Sequence, residues 1–204
     1  AKPRARRVHG VHEFVQFAKF DRLAGASPGT VAATFPFRHV PGNDTACNAA
    51  TALYELRLHH HVLGLEFAGS PYAWHSLGSC LAVTPEAYAA VRGFPKRAGG
   101  EDFYLLNKLA KVGSVLELAG GAENRAIEIE SRRSDRVPFG TGAAVNKITG
   151  LADPVGDFRF YDPVVFELLK LWLQSFPAVW ASGSNELSPA VFSAQQMENR
   201  DHKL

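Results

Sequence analysis

The chain has 204 residues, a formal net charge of +2, 46% hydrophobic residues and 21% charged residues. That is room for one good-sized core or two small ones, in the composition range of an ordinary globular protein. A charge this close to balance excludes a dedicated nucleic-acid binder. No apolar run is long enough to span a bilayer, and the best, Val164 to Leu173, is interrupted by Glu167 and Lys170. So neither a nucleic-acid partner nor a transmembrane segment is expected.

The two cysteines, Cys47 and Cys80, match neither a disulfide framework nor a zinc spacing. They read as reduced, buried thiols, and with no secretory signal visible the expected setting is cytoplasmic. The single methionine is Met197, so the sequence reads either as processed at its start or as a fragment of a longer polypeptide.

In chain order, Lys2, Arg4, Arg6 and Arg7 make a basic start. Val11 to Ala24 reads as an amphipathic helix, with Phe14, Phe17, Ala18 and Leu23 on one face. Ser27-Pro28-Gly29 is a turn, and Val31 to Phe37 a strand. After the loop at Pro41 to Asp44, Thr45 to Ala68 reads as a long helix with an apolar stripe through Ala50, Leu53, Tyr54, Leu58, Val62 and Leu65. His59, His60 and His61 lie within it. Successive residues on a helix point about 100° apart, so these three cannot converge on one metal.

Ser79 to Val83 is a short run of strand length, expected to be central in a sheet. Thr84-Pro85 starts a helix, with Thr84 as N-cap. Glu101 to Lys111 reads as a helix anchored by Phe103, Leu106 and Leu109 and stopped by Gly113. Ser114 to Leu118 and Arg125 to Glu130 read as strands. Asp162-Pro163 opens a last helix with Tyr161 and Phe166 as a hydrophobic staple. Its expected buried stripe is Val165, Leu168, Leu169, Trp172 and Phe176, and Pro177 is expected to close it. The organisation predicted is one α/β domain over 1–181 and a polar tail over 182–204.

Chemistry concentrates at Gly99-Gly100-Glu101-Asp102. A flexible glycine pair precedes two carboxylates in the first turn of a helix, where a rigid element can present a general base. The same placement also serves the helix dipole, by about 0.3–1 kcal/mol. A second cluster, Arg132, Arg133 and Arg136, adjoins Gly140-Thr141-Gly142. Arginine forks and a glycine-rich backbone suit phosphate oxygens. An arginine-rich surface loop paired to Glu128, Glu130 and Asp135 explains the cluster equally well. In Pro71 to Ser79, Trp74, His75 and Ser79 are the residue types that stack on sugars and bond hydroxyls, while Tyr72 and Trp74 as core residues and His75 as a satisfied histidine is the other reading. A Cys80–His75 nucleophile pair is disfavoured, since nothing near Cys80 lowers its pKa.

From Gly78 to Val115 the succession is strand, Pro-started helix, Arg92-Gly93-Phe94-Pro95, Gly99-Gly100-Glu101-Asp102, helix, Lys111-Val112-Gly113, strand. This order, over about a fifth of the chain, resembles the acceptor-side half of family 2 glycosyltransferases, which have the GT-A fold. The resemblance implies a partial GT-A fold, α/β with an incomplete mixed sheet flanked by helices. It implies an inverting transfer of sugar from a nucleotide-sugar donor to a glycan, lipid or small-molecule acceptor. Asp102 would be the base and Glu101 its neighbour orienting the acceptor. Arg132, Arg133 and Arg136 would bind the donor phosphates, and Trp74, His75 and Ser79 the acceptor. A divalent metal, Mg or Mn, is implied for the leaving diphosphate.

The family's metal-holding Asp-x-Asp occurs nowhere in this sequence. The expectation is therefore an acceptor-side portion without the nucleotide-binding half, with little activity by itself. Two other readings remain: a non-catalytic module that binds a glycan or phosphorylated ligand, and a truncated product with no activity of its own.

Overall fold

A computed structural model describes residues 16–17, 27–97, 99–118, 126–135 and 140–182. The chain forms two compact units, one of residues 1–60 and 74–160 and one of 61–73 and 161–204.

The first unit is built on a four-stranded mixed sheet. Its strands are β1 (Gln16–Phe17), β2 (Thr30–Thr34), β4 (Leu81–Val83) and β5 (Ser114–Glu117), in the order β1-β4-β2-β5. β4 runs parallel to β1 and antiparallel to β2, while β2 and β5 are parallel. Successive residues of a strand face opposite sides of the sheet. Accordingly Ala32, Leu81 and Val83 enter one core cluster, and Ala33 and Ala82 enter another on the opposite face. A separate parallel pair joins β3 (Phe37–Val40) to β6 (Ile127–Glu130) in a register that sets His39 opposite Ile129.

The larger cluster is closed by α2 (Pro85–Ala90) and α3 (Glu101–Leu109), through Ala87 and through Leu105, Leu106 and Leu109. Thr84 caps α2 as expected, its hydroxyl accepting the N–H of Ala87 at 3.2 Å. α3 begins at Gly100, whose φ of +69° puts it in the left-handed region that glycine enters without strain. The glycine before the carboxylates is thus a conformational requirement. After α3 the chain passes Val31 and the Gly29 carbonyl so closely that a side chain at Gly113 would strike both. α1 (Thr45–Phe67) starts on Asp44, whose Oδ1 accepts the Cys47 N–H at 3.0 Å. Its first half packs Cys47 and Ala50 against Val145 and Ile148 of α4 (Thr141–Thr149). A short helix, α5 (Pro154–Asp157), follows with Asp153 as its cap.

The second unit contains the end of α1 and α6 (Pro163–Ser182). Phe166 is buried and sits against Gly64, with Tyr161 at 6.2 Å between ring centroids, as the staple predicts.

Several expectations are corrected. The described part of Val11 to Ala24 is the strand β1, not helix: an edge of the sheet recruits Gln16 and Phe17 by pairing them with Ala82 and Val83. The run Val31 to Phe37 is two strands in two different sheets. Gly78–Cys80 is a 3-10 turn, so the strand expected from Ser79 begins at Leu81. Phe103 is exposed, and Leu105 takes its place on the buried face of α3 beside Leu106 and Leu109. A nine-residue helix on a sheet buries one narrow strip, and the strip is turned by one residue pair from the expected one. On α6, Val165, Leu168, Trp172 and Phe176 are about half exposed, and Phe166 is the buried residue. Pro177 lies inside the helix rather than at its end. Residues 183–204, which hold nearly all of the expected tail, lie outside the described residues.

Candidate active site

Asp102 occupies the first turn of α3 and is half buried. Its Oδ2 accepts the backbone N–H of Gly78 at 2.9 Å, and its Oδ1 accepts the N–H of Phe103 at 2.7 Å. Burial pushes its carboxyl above the ordinary aspartate value of 3.8. The two N–H donors pull it back, and the charge of Glu101 pushes it up again. The net direction is upward because a carboxylate loses more hydration on burial than two amide donors return here. The carboxylate and the Trp74 to Ser79 segment are thereby in direct contact through Gly78.

A third element lies within electrostatic range of this carboxylate. Tyr54 of α1 is partly buried against the α1–α4 cluster. Burial raises its phenol above 10.0, Arg57 opposes this, and the charge of Asp102 and a hydrogen bond with Thr141 act further on it. Tyr54 and Thr141 therefore stand at the same end of the unit as Asp102. Tyr54 was read from sequence only as part of an apolar stripe, because its spacing on the helix carries no sign of its polar tip.

The other expected site residues divide. Ser79 is exposed beside Gly78 and contacts the Cys80 sulfur at 3.6 Å. Trp74 packs against the core cluster of α2 and α3, which takes that face of the indole from any sugar. His75 is turned to Glu117, with Nδ1 to Oε1 at 2.6 Å. It is not joined to Asp102. Arg133 donates from Nε to Asp44 Oδ2 at 3.0 Å and from a terminal nitrogen to Thr149 Oγ1 at 3.2 Å. Thr149 is the last residue of α4 and Thr141 the first, so Arg133 lies at the opposite end of that helix from Tyr54 and Asp102. Its observed role is to tie the cap of α1 to α4, the surface pairing that the sequence left open, though with Asp44 as its acid. Arg132 is exposed on the same segment, and Arg136 lies outside the described residues.

A second polar group surrounds Phe37. His39 bonds Glu55 through Nδ1 at 2.5 Å and through its backbone N–H at 2.7 Å. His59 stacks on Phe37 at 5.4 Å and meets His75 edge-on at 4.8 Å. Burial and the neighbouring His75 hold the His59 imidazole below its usual value. His39, Asn48, Glu55, Leu56, His59 and Ser131 line an open cavity of about 430 Å³. The histidine triplet behaves as helix geometry demands: His60 meets Phe160 at 5.3 Å, and His61 meets Tyr161 at 5.3 Å.

Cys80 is buried, and burial raises its thiol pKa above 9.0; Cys47 is buried and equally free of a disulfide. Among the described residues no group of three His, Cys, Asp or Glu side chains is arranged to hold a metal ion, and no helix is long and apolar enough to cross a membrane. No family model, curated protein or solved structure matches the chain.

Proposed function

We propose that this chain is the acceptor-side part of an inverting glycosyltransferase of the family 2 type, with a partial GT-A fold and with Asp102 as the general base. The observation that carries this reading is the setting of Asp102. It is a half-buried carboxylate of raised pKa on the first turn of a rigid helix, held by the Gly78 N–H beside the exposed Ser79. A carboxylate whose affinity for protons is raised takes one from a hydroxyl more effectively than an ordinary aspartate does.

In the reaction, an acceptor hydroxyl held between Asp102 and Ser79 attacks the anomeric carbon of the donor sugar. The new C–O bond forms as the proton passes to an Asp102 carboxylate oxygen. The bond from the anomeric carbon to the diphosphate oxygen breaks, and the nucleoside diphosphate leaves with the electron pair. Attack from the face opposite the leaving group inverts the anomeric centre. Glu101, next to Asp102, orients the acceptor and keeps the proton affinity of the pair high. Tyr54 and Thr141 supply hydroxyls at the edge of the same site.

The described residues do not fit a divalent metal, and Arg133 is committed to Asp44. No step is therefore assigned here to a metal, and the reading places the metal-holding contacts to the donor on residues outside this sequence. The test is Asp102→Asn in the polypeptide that carries the donor half together with this chain. Transfer should fall by about 10²–10⁴-fold with donor affinity nearly unchanged, since asparagine keeps the shape and cannot take the proton. Undiminished transfer by that variant refutes the assignment.

A further inference from the structure

The segment between Trp74 and Gly78 has no regular secondary structure, yet it delivers one of the two N–H groups that Asp102 accepts. Something must hold it in place. The 3-10 turn at Gly78–Cys80 fixes its downstream end. Upstream, Trp74 packs on the core cluster and His75, three residues before Gly78, makes a polar tie. Its Nδ1 bonds Glu117 Oε1 at 2.6 Å, while its Nε2 is buried without a hydrogen-bond partner among the described residues. The ring is otherwise held by edge contacts with Phe37 at 5.2 Å and with His59 at 4.8 Å. Glu117 belongs to β5, which is hydrogen-bonded to β2 in the sheet. The segment is thus clamped between the sheet and α3 by two hydrogen bonds, one at His75 and one at Gly78.

We propose that His75 and Glu117 are positioning residues, which by anchoring this segment to β5 keep the Gly78 N–H on Asp102 Oδ2. The inference rests on Asp102 being the base, but it concerns how its carboxylate is held rather than what it does. A carboxylate loses proton affinity with each N–H donor that faces it. When the His75 bond is removed, the segment loses its hydrogen-bonded tie to β5, the Gly78 donor spends less time on Oδ2, and Asp102 binds its proton more tightly.

The groups that surround the pair are known. His75 is faced by Glu117 from β5 and by His59 from α1, with Glu55 and His39 behind His59. Asp102 is faced by Glu101 on its own helix and by Tyr54 from α1. The influences that lead at Asp102 are burial, the Phe103 and Gly78 N–H groups and Glu101. An effect that travels through the backbone changes the Gly78 amide together with Asp102, whereas a direct charge effect moves the Asp102 midpoint and leaves the Gly78 bond in place.

The experiment is an NMR pH titration of the 204-residue chain, following the Asp102 carboxyl carbon and the Gly78 amide. In the unaltered chain the Gly78 amide proton should titrate with the Asp102 midpoint, because the two are hydrogen-bonded. His75→Phe keeps the ring contacts and removes the Nδ1 bond. It should raise the Asp102 midpoint by about half a pH unit or more and shrink the titration amplitude of the Gly78 amide. His75→Asn places an amide N–H near the position of Nδ1 and should restore both. Glu117→Ala, at a partly exposed edge position, should reproduce the effect of His75→Phe and serves where that variant does not fold. An unchanged Asp102 midpoint and Gly78 amplitude in the folded His75→Phe or Glu117→Ala chain overturns the proposal. So does a Gly78 amide that ignores Asp102 in the unaltered chain. These outcomes do not depend on sugar transfer. If Asp102→Asn leaves transfer intact while the titrations behave as stated, the catalytic reading fails and the positioning stands.

Discussion

Gly78 and Asp102 lie 24 residues apart in sequence and meet through one hydrogen bond of 2.9 Å, from the glycine N–H to the carboxylate Oδ2. That bond joins the end of an irregular segment to the first turn of α3. The carboxylate therefore has a partner far from it in sequence, beyond its place at a helix start.

The raised proton affinity of Asp102 sets a pH dependence. A base works only when ionised, so the rate of transfer should climb with pH through the folded-state pKa of Asp102, which lies above 3.8 because of burial. The acid limb of the profile should therefore sit at higher pH than an exposed aspartate would give. Asp102→Glu moves the carboxylate by one methylene and should lose at least about tenfold in rate, since misplacement of about 1 Å can cost 10²-fold. On the proposed function, the pH–rate profile of sugar transfer is the check.

Asp44 shifts in the other direction. The Cys47 N–H and the Arg133 guanidinium hold its carboxyl below 3.8. A group whose folded pKa is depressed stabilises the fold above its unfolded pKa, and that contribution is lost as pH falls through the folded value. Asp44→Ala should thus lower the melting temperature at neutral pH, with a deficit that narrows below pH ~3.9. Arg133→Ala should lower it too, and the two effects should not add, because the residues share one hydrogen bond. Thermal melts of the four chains at two pH values measure this. If Arg133 held donor phosphate instead, Arg133→Ala would leave stability unchanged.

Gly64 tests the packing of the second unit. In a helix interior, alanine is ordinarily favoured over glycine by about 1 kcal/mol. Here a Cβ would enter the ring of Phe166. Gly64→Ala should therefore destabilise the protein, by about 1–3 kcal/mol for an overpacked contact. Phe166→Leu should relieve it, so that the double variant is more stable than the sum of the single changes. Denaturant unfolding of the double-mutant cycle gives the coupling.

Both cysteines should resist thiol reagents. Cys47 and Cys80 are each about 1% exposed, and the thiolate that reacts is disfavoured at Cys80 by burial. Modification by a disulfide reagent at pH 8 should be slow in the folded chain and fast in denaturant. Prompt modification of Cys80 under native conditions would show that β4 opens readily.

Local chemistry alone determined much of this protein. Thr84-Pro85 specified a helix start, Gly100 the turn before the carboxylates, and Tyr161 with Phe166 a staple. In each the partners lie within a few residues, so the interaction is written into the spacing. The alternation of Ile127 and Ile129 with Glu128 and Glu130 gave a strand with one wetter face for the same reason. Tertiary structure decided the rest. Whether Gln16 and Phe17 join a helix or a sheet depended on Ala82 and Val83 being free to pair. Whether Phe103 or Leu105 is buried depended on the angle at which α3 meets the sheet. Arg133 has Glu128, Glu130 and Asp135 close to it in sequence, and only the position of α1 selected Asp44. His75 was legible as a polar residue near the site, but its partner Glu117 is 42 residues away and no periodicity links the two. Contacts between distant residues depend on how elements pack, and packing energy is shared among many side chains that a reading along one chain sees only one at a time.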